Sequence, residues 1–424
     1  MNHVWMIEIE NSSVFDSYGA HALDPWLKSL PAQGAFLQNY FATSHNSTGN
    51  YITQFTGQAP NKSMNDDCPY YSPFLETFPG QSSEVTSAGQ FLGNGCILPT
   101  DVPNFPDQLD AAGLTWKGYF QDMGNDPALD GTTPTPQGPA CGHPKVGAEN
   151  PEFYRTFPPS DKYALHRNPF IFMDSVIKNQ RYCDAHVLSL QPLAHDLKAV
   201  ATTPNFSFIE PNFCNQFLNS VALGVQIAPG CTTATIDAFY RSLISEIEAS
   251  PAYQQDGLIE VVTDESGNLQ PNIVPQETLA LEFASCCGEP AAQLPISPTN
   301  STVPFNPAIP NYPWPGGLGA GGGPVGAVFI SPFIEPGTVT TIAYNHFSLL
   351  RTNEQIFGFG FLGDAAIAGV ASVGNDVFNQ LPNGPTAAVL DRQRRTAASN
   401  AALQAGLSKA SRPPGPQFQP HGGW

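Results

Sequence analysis

Carboxylates that directly follow apolar runs are the residues of this sequence best suited to chemistry. The run VWMIEI ends at Glu10 and Asn11, and the run GLIEVVT ends at Asp264 and Glu265. A charge beside an apolar core is costly unless it is paired or bound to a cation, and hard divalent cations prefer several oxygen ligands. Each residue alone could be an ordinary strand end that reaches solvent. Together the four residues predict a metal site.

A segment rich in hydroxyl groups, ATSHNSTGNY, leads into the helix-compatible stretch YITQFTG. A serine at a helix N-terminus can be activated by a neighbouring metal ion, and the backbone N–H groups there can bind an anion. Ser47 is the predicted nucleophile, since Asn50 follows it by one helical turn. The alternative is that Ser47 only caps the helix. Thr43, Ser44 and Thr48 are competing hydroxyls that spacing alone does not exclude.

Two of the nine histidines lie beside turn residues and immediately before apolar runs. They are His166 in LHRNPF and His346 in YNHFSLL. A histidine in such a place could contact a phosphate oxygen, protonate a leaving group or bind a metal ion. The alternative for each is a structural histidine whose ring is satisfied by hydrogen bonds.

The order of the elements predicts the frame that positions these groups. Apolar runs typical of strands alternate with segments of helical spacing such as TTATIDAFYRSLISEIEASPAY. This order indicates an α/β fold with a mostly parallel central sheet and helices on both faces. In such sheets the ligand site lies beyond the carboxyl ends of the strands. The run NFSFIE also ends in polar residues, at Pro211 and Asn212, so three strand ends are expected to meet at one edge.

The chain is predicted to form a single domain over residues 1–391, followed by a low-complexity tail over 392–424. One domain of this length is common among large α/β enzymes. Residues 266–320 are rich in proline and glycine and are expected to form an inserted surface loop that carries Cys286 and Cys287. The eight cysteines include no paired CxxC array, which favours disulfides over a zinc ribbon.

Charge and motif content exclude several classes of protein. The chain has 36 acidic and 17 basic residues and a formal net charge of −19, so it would repel nucleic acids and anionic lipid head groups. No apolar run is long enough to span a membrane. The motif GxxxxGK[ST] of P-loop nucleotidases and the motif GxSxG of α/β-hydrolases are both absent, which disfavours these two classes. Disulfides favour an extracellular or periplasmic location. Residues 1–10 resemble a strand rather than a leader peptide, so a leader is expected upstream of them.

Six segments in order resemble the phosphoesterase family. They are IEIENSSVFDSYG, ATSHNSTGNY, LHRNPFIFMDSV, NFSFIEPNFCN, DGLIEVVTDES and GGGPVGAVFISPFIEPGTVTTIAYNHFSLLRTNEQIFGFGFLG. That family groups bacterial acid phosphatases and phosphatidylinositol-3-phosphatase-like enzymes with phospholipases C, within the alkaline-phosphatase superfamily. The resemblance runs from about residue 3 to residue 363. It implies an alkaline-phosphatase-like three-layer sandwich.

The resemblance also implies roles for individual residues. An ENxSF-like segment implies metal binding by Glu10 and Asn11, and a DE-type segment implies the same for Asp264 and Glu265. The implied cofactor is a divalent cation: calcium, magnesium, manganese or zinc. The remaining motif positions imply catalytic roles for Ser47, His166 and His346 and phosphate contacts for His45, Asn50 and Asn212.

The sequence departs from the family pattern in three segments. Asn46 and Gly49 replace the two prolines of the HPSxPNY-like segment around Ser47. The KHxPF-like segment is LHRNPF, with Leu165 in place of lysine and one inserted residue. The PNLCNDxHD-like segment lacks its histidine and its aspartate, which favours a single metal ion or a weakened second metal site.

The expected activity is that of a secreted, metal-dependent acid phosphatase, which acts on phosphate monoesters through a phosphoserine intermediate. A phospholipase C-like phosphodiesterase is an open alternative, because Phe305, Tyr312 and Trp314 could form an aromatic rim for a lipid. A phosphoinositide or another phospholipid is therefore a candidate substrate. A catalytically silent, secreted binding protein is the other open alternative, because of the altered motifs.

Overall fold

The computed structural model describes residues 1–19, 22, 24–76, 89–154, 162–216, 231–266, 284–287 and 321–380. The predicted insertion at 266–320 lies mostly outside these residues. The predicted domain boundary at residue 391 and the tail at 392–424 lie wholly outside them.

A large sheet forms the centre of the structure. The strands are β1 (His3–Ile9), β2 (Ala35–Leu37), β3 (Tyr40–Phe41), β4 (Leu75–Glu76), β5 (Gly93–Asn94), β6 (Trp116–Phe120), β7 (Thr133–Thr135), β8 (Gly138–Ala140), β9 (Val187–Ser189), β10 (Phe206–Glu210), β11 (Gly257–Thr263), β12 (Ala327–Ile330), β13 (Thr338–Thr340) and β14 (Tyr344–Asn345). Ten of them form one sheet in the order β13-β2-β12-β11-β1-β10-β6-β9-β8-β7. The neighbours from β11 to β9 are parallel, and β12 and β8 are antiparallel to theirs. The prediction of a mostly parallel sheet is confirmed.

Helices cover both faces of this sheet. They are α1 (Val14–Ser17), α2 (Pro25–Ser29), α3 (Ser47–Thr56), α4 (Lys62–Asn65), α5 (Phe105–Ala111), α6 (Pro127–Asp130), α7 (Asp174–Ile177), α8 (Gln180–His186), α9 (Leu193–Asp196), α10 (Phe213–Gln216), α11 (Thr233–Glu248), α12 (Pro251–Asp256) and α13 (His346–Phe357). None of these described helices is both long and apolar enough to cross a membrane.

Alternation of side chains along β1 separates two cores. Val4 and Met6 belong to the core that contains residues of α3 and α13, whereas Trp5 and Ile7 belong to the core that contains residues of α11 and α12. Because strand side chains alternate between faces, each central strand contributes to both cores. The predicted arrangement of a sheet between two helical layers is therefore confirmed.

The cysteines of the described segments are all paired. The disulfides are Cys68–Cys96, Cys141–Cys183, Cys214–Cys231 and Cys286–Cys287. The preference for disulfides over a zinc ribbon is confirmed, and the two cysteines of the predicted insertion are joined to each other.

Candidate active site

The carboxyl ends of β1 and β11 bring three buried carboxylates together. These strands are adjacent and parallel, with Ile9 opposite Thr263, so the next residue of each strand emerges at the same edge. Glu10, Asp264 and Glu265 are at most 1% exposed. One oxygen of each lies within 4.8 Å of the others. These three residues, predicted as metal ligands, are called the carboxylate cluster below.

Asn11, the fourth predicted ligand, holds two of these carboxylates in place. Its φ of 50° lies in the left-handed region, which asparagine tolerates better than most residues. The backbone N–H donates to Asp264 Oδ1 at 3.0 Å, and the side-chain Nδ2 donates to Glu10 Oε1 at 2.7 Å. Asn11 therefore lies at the cluster and ties the ends of β1 and β11 together.

The carboxylate cluster fits a hard divalent cation. Asp264 Oδ2 is buried and has no hydrogen-bond partner among the described residues. Burial and the charges of Glu10 and Glu265 raise the pKa of Asp264 well above its usual range. A cation would offset both the burial cost and the repulsion. An all-oxygen set of ligands suits calcium, magnesium or manganese better than zinc.

Ser47 lies against the cluster at the first position of α3. The helix follows Asn46, which has an extended backbone, and ends at Gly57, which has a left-handed one. Ser47 is 2% exposed. Its hydroxyl donates to Glu10 Oε1, and its Oγ lies 3.3 Å from Glu265 Oε1. The predicted nucleophile and the predicted metal ligands therefore meet.

The three competing hydroxyls make other contacts. Thr48 Oγ1 donates to the backbone oxygen of His166 at 2.9 Å. Thr43 Oγ1 donates to Asn50 Oδ1 at 3.0 Å, and Ser44 Oγ contacts a backbone oxygen within its own turn. The contacts of these hydroxyls therefore favour Ser47 over Thr43, Ser44 and Thr48 as the predicted nucleophile, a choice that spacing alone left open.

The N-terminus of α3 already contacts an acidic side chain. The sequence suggested that the N–H groups there receive an anion, but Thr48 N donates to Asp67 Oδ1 at 2.9 Å. Burial raises the pKa of Asp67 to about 7, although the nearby positive charge of His166 opposes this rise. Acidification would neutralise Asp67 and so reduce its repulsion of a phosphate group at this end of the helix.

Glu10 has two further partners that sequence reasoning missed. Its Oε2 accepts a hydrogen bond from Tyr51 OH at 3.0 Å and forms an ion pair with Arg167 Nε at 2.7 Å. Arg167 is 2% exposed, and its guanidinium carbon lies 4.4 Å from the centre of the Phe213 ring. A buried positive charge therefore partly balances the carboxylate cluster.

His166 lies on the Arg167 side of the cluster. Its Nδ1 is 2.7 Å from Glu152 Oε2, and its Nε2 is 3.2 Å from Arg167 Nε. Burial lowers the pKa of His166, but the charge and hydrogen bond of Glu152 and the charge of Asp67 together raise it, and the net shift is upward. His166 is thus placed to hold a proton near the cluster.

His346 lies behind the cluster, at the start of α13. It is fully buried, and its Nε2 is 2.6 Å from the backbone oxygen of Asp264. Its Nδ1 contacts Tyr40 OH at 2.9 Å and Gln54 Nε2 at 3.1 Å. Burial lowers the pKa of His346 to about 4, so the ring is neutral at ordinary pH. These contacts position Asp264.

His45 and Asn50 were both predicted to contact phosphate, and they occupy different surroundings. His45 Nδ1 pairs with Glu265 Oε2 at 2.5 Å, so this ring lies at the cluster. Asn50 Oδ1 accepts hydrogen bonds from the backbone N–H groups of Thr43 and Ser44, each at 3.0 Å. Its Nδ2 donates to the backbone oxygen of Ser44 at 2.9 Å. Asn50 therefore closes the turn that precedes α3.

Asn212, the third predicted phosphate contact, uses its side-chain amide for hydrogen bonds within the protein. Its Oδ1 accepts from the backbone N–H groups of Cys214 and Asn215, each at 3.0 Å. Its Nδ2 donates to Asp122 Oδ2 at 2.8 Å. The structure thus gives Asn212 the contacts of a cap for α10.

Two of the missed residues carried a signal in the sequence. Glu210 ends the apolar run of β10 just as Glu10 follows that of β1, and Glu210 Oε1 lies 3.1 Å from Tyr51 OH. The criterion that selected Glu10 therefore also selects Glu210. The KHxPF-like pattern, counted back from Pro169 without an inserted residue, has its histidine position at Arg167. The contacts of Tyr51 and Glu152 depend on the tertiary structure.

Buried carboxylates beside a serine at a helix N-terminus form an arrangement suited to metal-assisted hydrolysis. A family model described as the Phosphoesterase family matches residues 1–360. The chain belongs to this family, and the resemblance inferred from its motifs is confirmed.

Two curated relatives are similar to this chain. A probable acid phosphatase from Kluyveromyces lactis is 24% identical over 211 residues, which cover 50% of this chain and 37% of the relative. An acid phosphatase from Aspergillus fumigatus is 24% identical over 267 residues, which cover 63% of this chain and 45% of the relative. The matched part thus spans less than half the length of either relative.

Two solved structures are similar to this chain at low sequence identity. A protein in the alkaline phosphatase superfamily from Vibrio parahaemolyticus is 10% identical, with a TM-score of 0.43 over 96% of this chain and 88% of that one. The lipoteichoic acid synthase LtaP from Listeria monocytogenes is 9% identical, with a TM-score of 0.44 over 96% and 92%.

Proposed function

We propose that this protein is a secreted, metal-dependent acid phosphatase that hydrolyses phosphate monoesters with Ser47 as its nucleophile. The observation that carries the proposal is the contact of the Ser47 hydroxyl with Glu10 and Glu265 of the carboxylate cluster. Membership of the Phosphoesterase family and similarity to two acid phosphatases support it. The disulfides support an oxidising compartment outside the cytosol.

Different residues around Ser47 carry out the separate proton transfers of the reaction. Ser47 passes its proton to Glu10 Oε1, the acceptor of its hydrogen bond, as its oxygen attacks phosphorus. His166 gives a proton to the leaving alcohol oxygen, and a phosphoserine is formed. In the second step water attacks the phosphoserine and gives a proton to His166, and the Ser47 oxygen regains its proton from Glu10.

The carboxylate cluster and Asn11 would hold the divalent cation. When bound, the cation would stabilise negative charge on the phosphoryl oxygens and lower the pKa of the serine hydroxyl. Arg167 and His45, which flank the cluster, add positive charge or hydrogen-bond donors for the same oxygens.

The experiment that tests the proposal compares two substrates. Hydrolysis of p-nitrophenyl phosphate and of bis-p-nitrophenyl phosphate is measured from pH 4 to 9, with chelator and with each cation restored. We expect cleavage of the monoester that is lost with chelator and recovers with calcium, magnesium or manganese. Preference for the diester would instead favour the phospholipase C-like alternative, whose predicted aromatic rim lies outside the described residues.

Replacing the nucleophile gives the matched test. We expect Ser47→Ala to lower turnover by about 10³-fold or more while the circular dichroism spectrum stays unchanged. Ser242→Ala, at an exposed position of α11, is the control and should retain full activity. Wild-type turnover in Ser47→Ala would disprove the nucleophile. No activity in folded wild-type protein with metal restored would support the silent binding protein.

A further inference from the structure

We infer that Glu152 is the positioning residue of His166: it holds the imidazole with Nε2 toward the carboxylate cluster and stabilises the protonated ring that serves the leaving group. This inference rests on the proposed phosphatase activity. Glu152 lies in a short 3-10 helix at Pro151–Tyr154, before the described segment that contains His166. Nothing in the motif pattern of the sequence singles it out.

One carboxylate oxygen fixes both the ring and the backbone of the histidine. Glu152 Oε2 accepts from His166 Nδ1 at 2.7 Å and from His166 backbone N at 3.0 Å. The two side chains are 4% and 7% exposed. The backbone N–H of Glu152 donates to Asn150 Oδ1 at 3.1 Å, which holds the carboxylate's own segment. Two bonds to one acceptor leave the ring little freedom to turn.

These contacts decide which ring nitrogen faces the reaction. With the proton of Nδ1 donated to Glu152, the other nitrogen, Nε2, accepts a hydrogen bond from Arg167 Nε at 3.2 Å. Arg167 Nε is in turn 2.7 Å from Glu10 Oε2. Nε2 is therefore on the cluster side of the ring. When the ring is protonated, Nε2 gives up the hydrogen bond from Arg167 and carries the proton instead. It gives this proton to the leaving oxygen as the P–O bond breaks, and later accepts one from water.

The negative charge of Glu152 matters as well as its position. Both contacts use Oε2, while Oε1 is buried without a hydrogen-bond partner among the described residues. A neutral amide could supply one acceptor oxygen in the same place, so the geometry alone does not require a carboxylate. A carboxylate does what an amide cannot, because it stabilises the imidazolium form of His166.

The charged groups around His166 determine the direction in which its pKa changes when Glu152 loses its charge. Burial and the positive charge of Arg167 lower the pKa of His166, whereas the negative charges of Glu152 and Asp67 raise it. A further neighbour, the Phe213 ring, has its centre 5.8 Å away and carries no charge. Removing the Glu152 charge therefore lowers the pKa of His166, and the protonated form is lost at a lower pH.

The test uses Glu152→Gln, which keeps an acceptor oxygen and removes the charge. We expect kcat for p-nitrophenyl phosphate to fall about 10–100-fold with KM little changed. The alkaline limb of the kcat profile should move to lower pH. Glu149→Gln is the matched control, since it removes the same charge three residues away at an exposed position. It should behave as wild type.

Histidine NMR supplies a readout that does not need turnover. The His166 signal, assigned as the one missing in His166→Gln, should show the Nδ1–H tautomer and a lower titration midpoint in Glu152→Gln. A wild-type midpoint, or a wild-type pH profile in folded and active Glu152→Gln, would overturn the inference. An inactive wild-type protein would refute the proposed function instead, and the midpoint would still decide the role of Glu152. If Glu152→Gln does not fold, Glu152→Asp takes its place, with an intermediate displacement expected.

Discussion

Glu260 is an acidic residue whose side chain is buried at the central sheet, outside the carboxylate cluster. It lies in β11 opposite Met6 of β1 and is 0% exposed. Its Oε2 accepts from Asn353 Nδ2 at 3.0 Å. Burial raises the pKa of Glu260 to about 8, although the hydrogen bond from Asn353 opposes this rise. The folded protein therefore keeps this carboxyl protonated at a pH where the unfolded chain has lost the proton.

This difference predicts a pH-dependent stability. The folded state holds the Glu260 proton between the unfolded pKa of 4.5 and the folded value of about 8, so the free energy of unfolding falls as pH rises through that window. At pH 7 the cost is roughly 3 kcal/mol. Glu260→Gln should remove it and be more stable than wild type at pH 7 to 8, but not at pH 4.5.

Chemical denaturation at the two pH values measures this effect. Glu246→Gln, at an exposed position of α11, removes a similar carboxylate and should leave the pH dependence unchanged. An equal loss of stability for Glu260→Gln at both pH values would show that the carboxyl is needed for packing alone.

At the residue scale the sequence predicted the types of the site residues better than their contacts. Glu10 and Asp264 could be found because a carboxylate after an apolar run is rare and local. His346 could not be placed, since its ring contacts the backbone of Asp264, a residue 82 positions away. The same limit applies to Glu152, because its role depends on the His166 ring, which the tertiary structure brings beside it.

At the scale of elements, α3 connects the proposed nucleophile, Ser47, to the rest of the fold. Every one of its ten residues is buried, so the helix cannot shift without disturbing the core. Its end is anchored by the backbone oxygen of Gly57, which accepts from Asp364 N at 2.8 Å and from Gln90 Nε2 at 2.6 Å. The position of Ser47 therefore depends on contacts at the far end of the helix.

Gly57 is the residue at which this anchor can be tested. Its φ is 66°, and an added Cβ would lie 2.3 Å from the backbone oxygen of Leu362. We expect Gly57→Ala to cost about 2–4 kcal/mol of stability and to lower kcat, because left-handed strain and a backbone clash combine.

Gly113→Ala is the matched control for this variant. Gly113 has a φ of 69°, but an added Cβ would meet no atom within 4 Å. It should lose only about 1 kcal/mol, with kcat unchanged. Thermal unfolding and p-nitrophenyl phosphate kinetics measure both quantities. Equal losses in the two variants would mean that the contact with Leu362 yields easily.

The ends of the strands could be predicted from the sequence, but the contacts of the side chains at those ends could not. Parallel strands deliver their carboxyl ends to one edge, and β11, β1 and β10 are indeed neighbours in the sheet. The sequence placed Asn212 at that edge as a phosphate contact and overlooked Glu210, the last residue of β10, which contacts Tyr51. Selecting only the residues that follow an apolar run overlooks a carboxylate that is the last residue of the run itself.

At the scale of the whole molecule, disulfides join segments that the sheet does not connect directly. Cys68–Cys96 links residues 28 positions apart, and Cys141–Cys183 links residues 42 positions apart. The first follows Asp67, the residue bonded to Thr48 at the N-terminus of α3. The second joins Cys141, directly after β8, to α8, and three strands separate β8 from β1 in the sheet.

The two disulfides should therefore differ in their effect on catalysis but not in their effect on stability. Loop-closure entropy assigns each about 3–4 kcal/mol, so Cys68→Ala/Cys96→Ala and Cys141→Ala/Cys183→Ala are expected to lower the free energy of unfolding similarly. Only the first pair should also lower KM for p-nitrophenyl phosphate, because it frees the segment that holds Asp67, whose negative charge repels phosphate, beside the N-terminus of α3. Denaturation and steady-state kinetics separate the two effects when they are run at a temperature at which circular dichroism shows both variants folded. An unchanged KM in the first variant would show that α4 and the turn after it hold Asp67 without the disulfide.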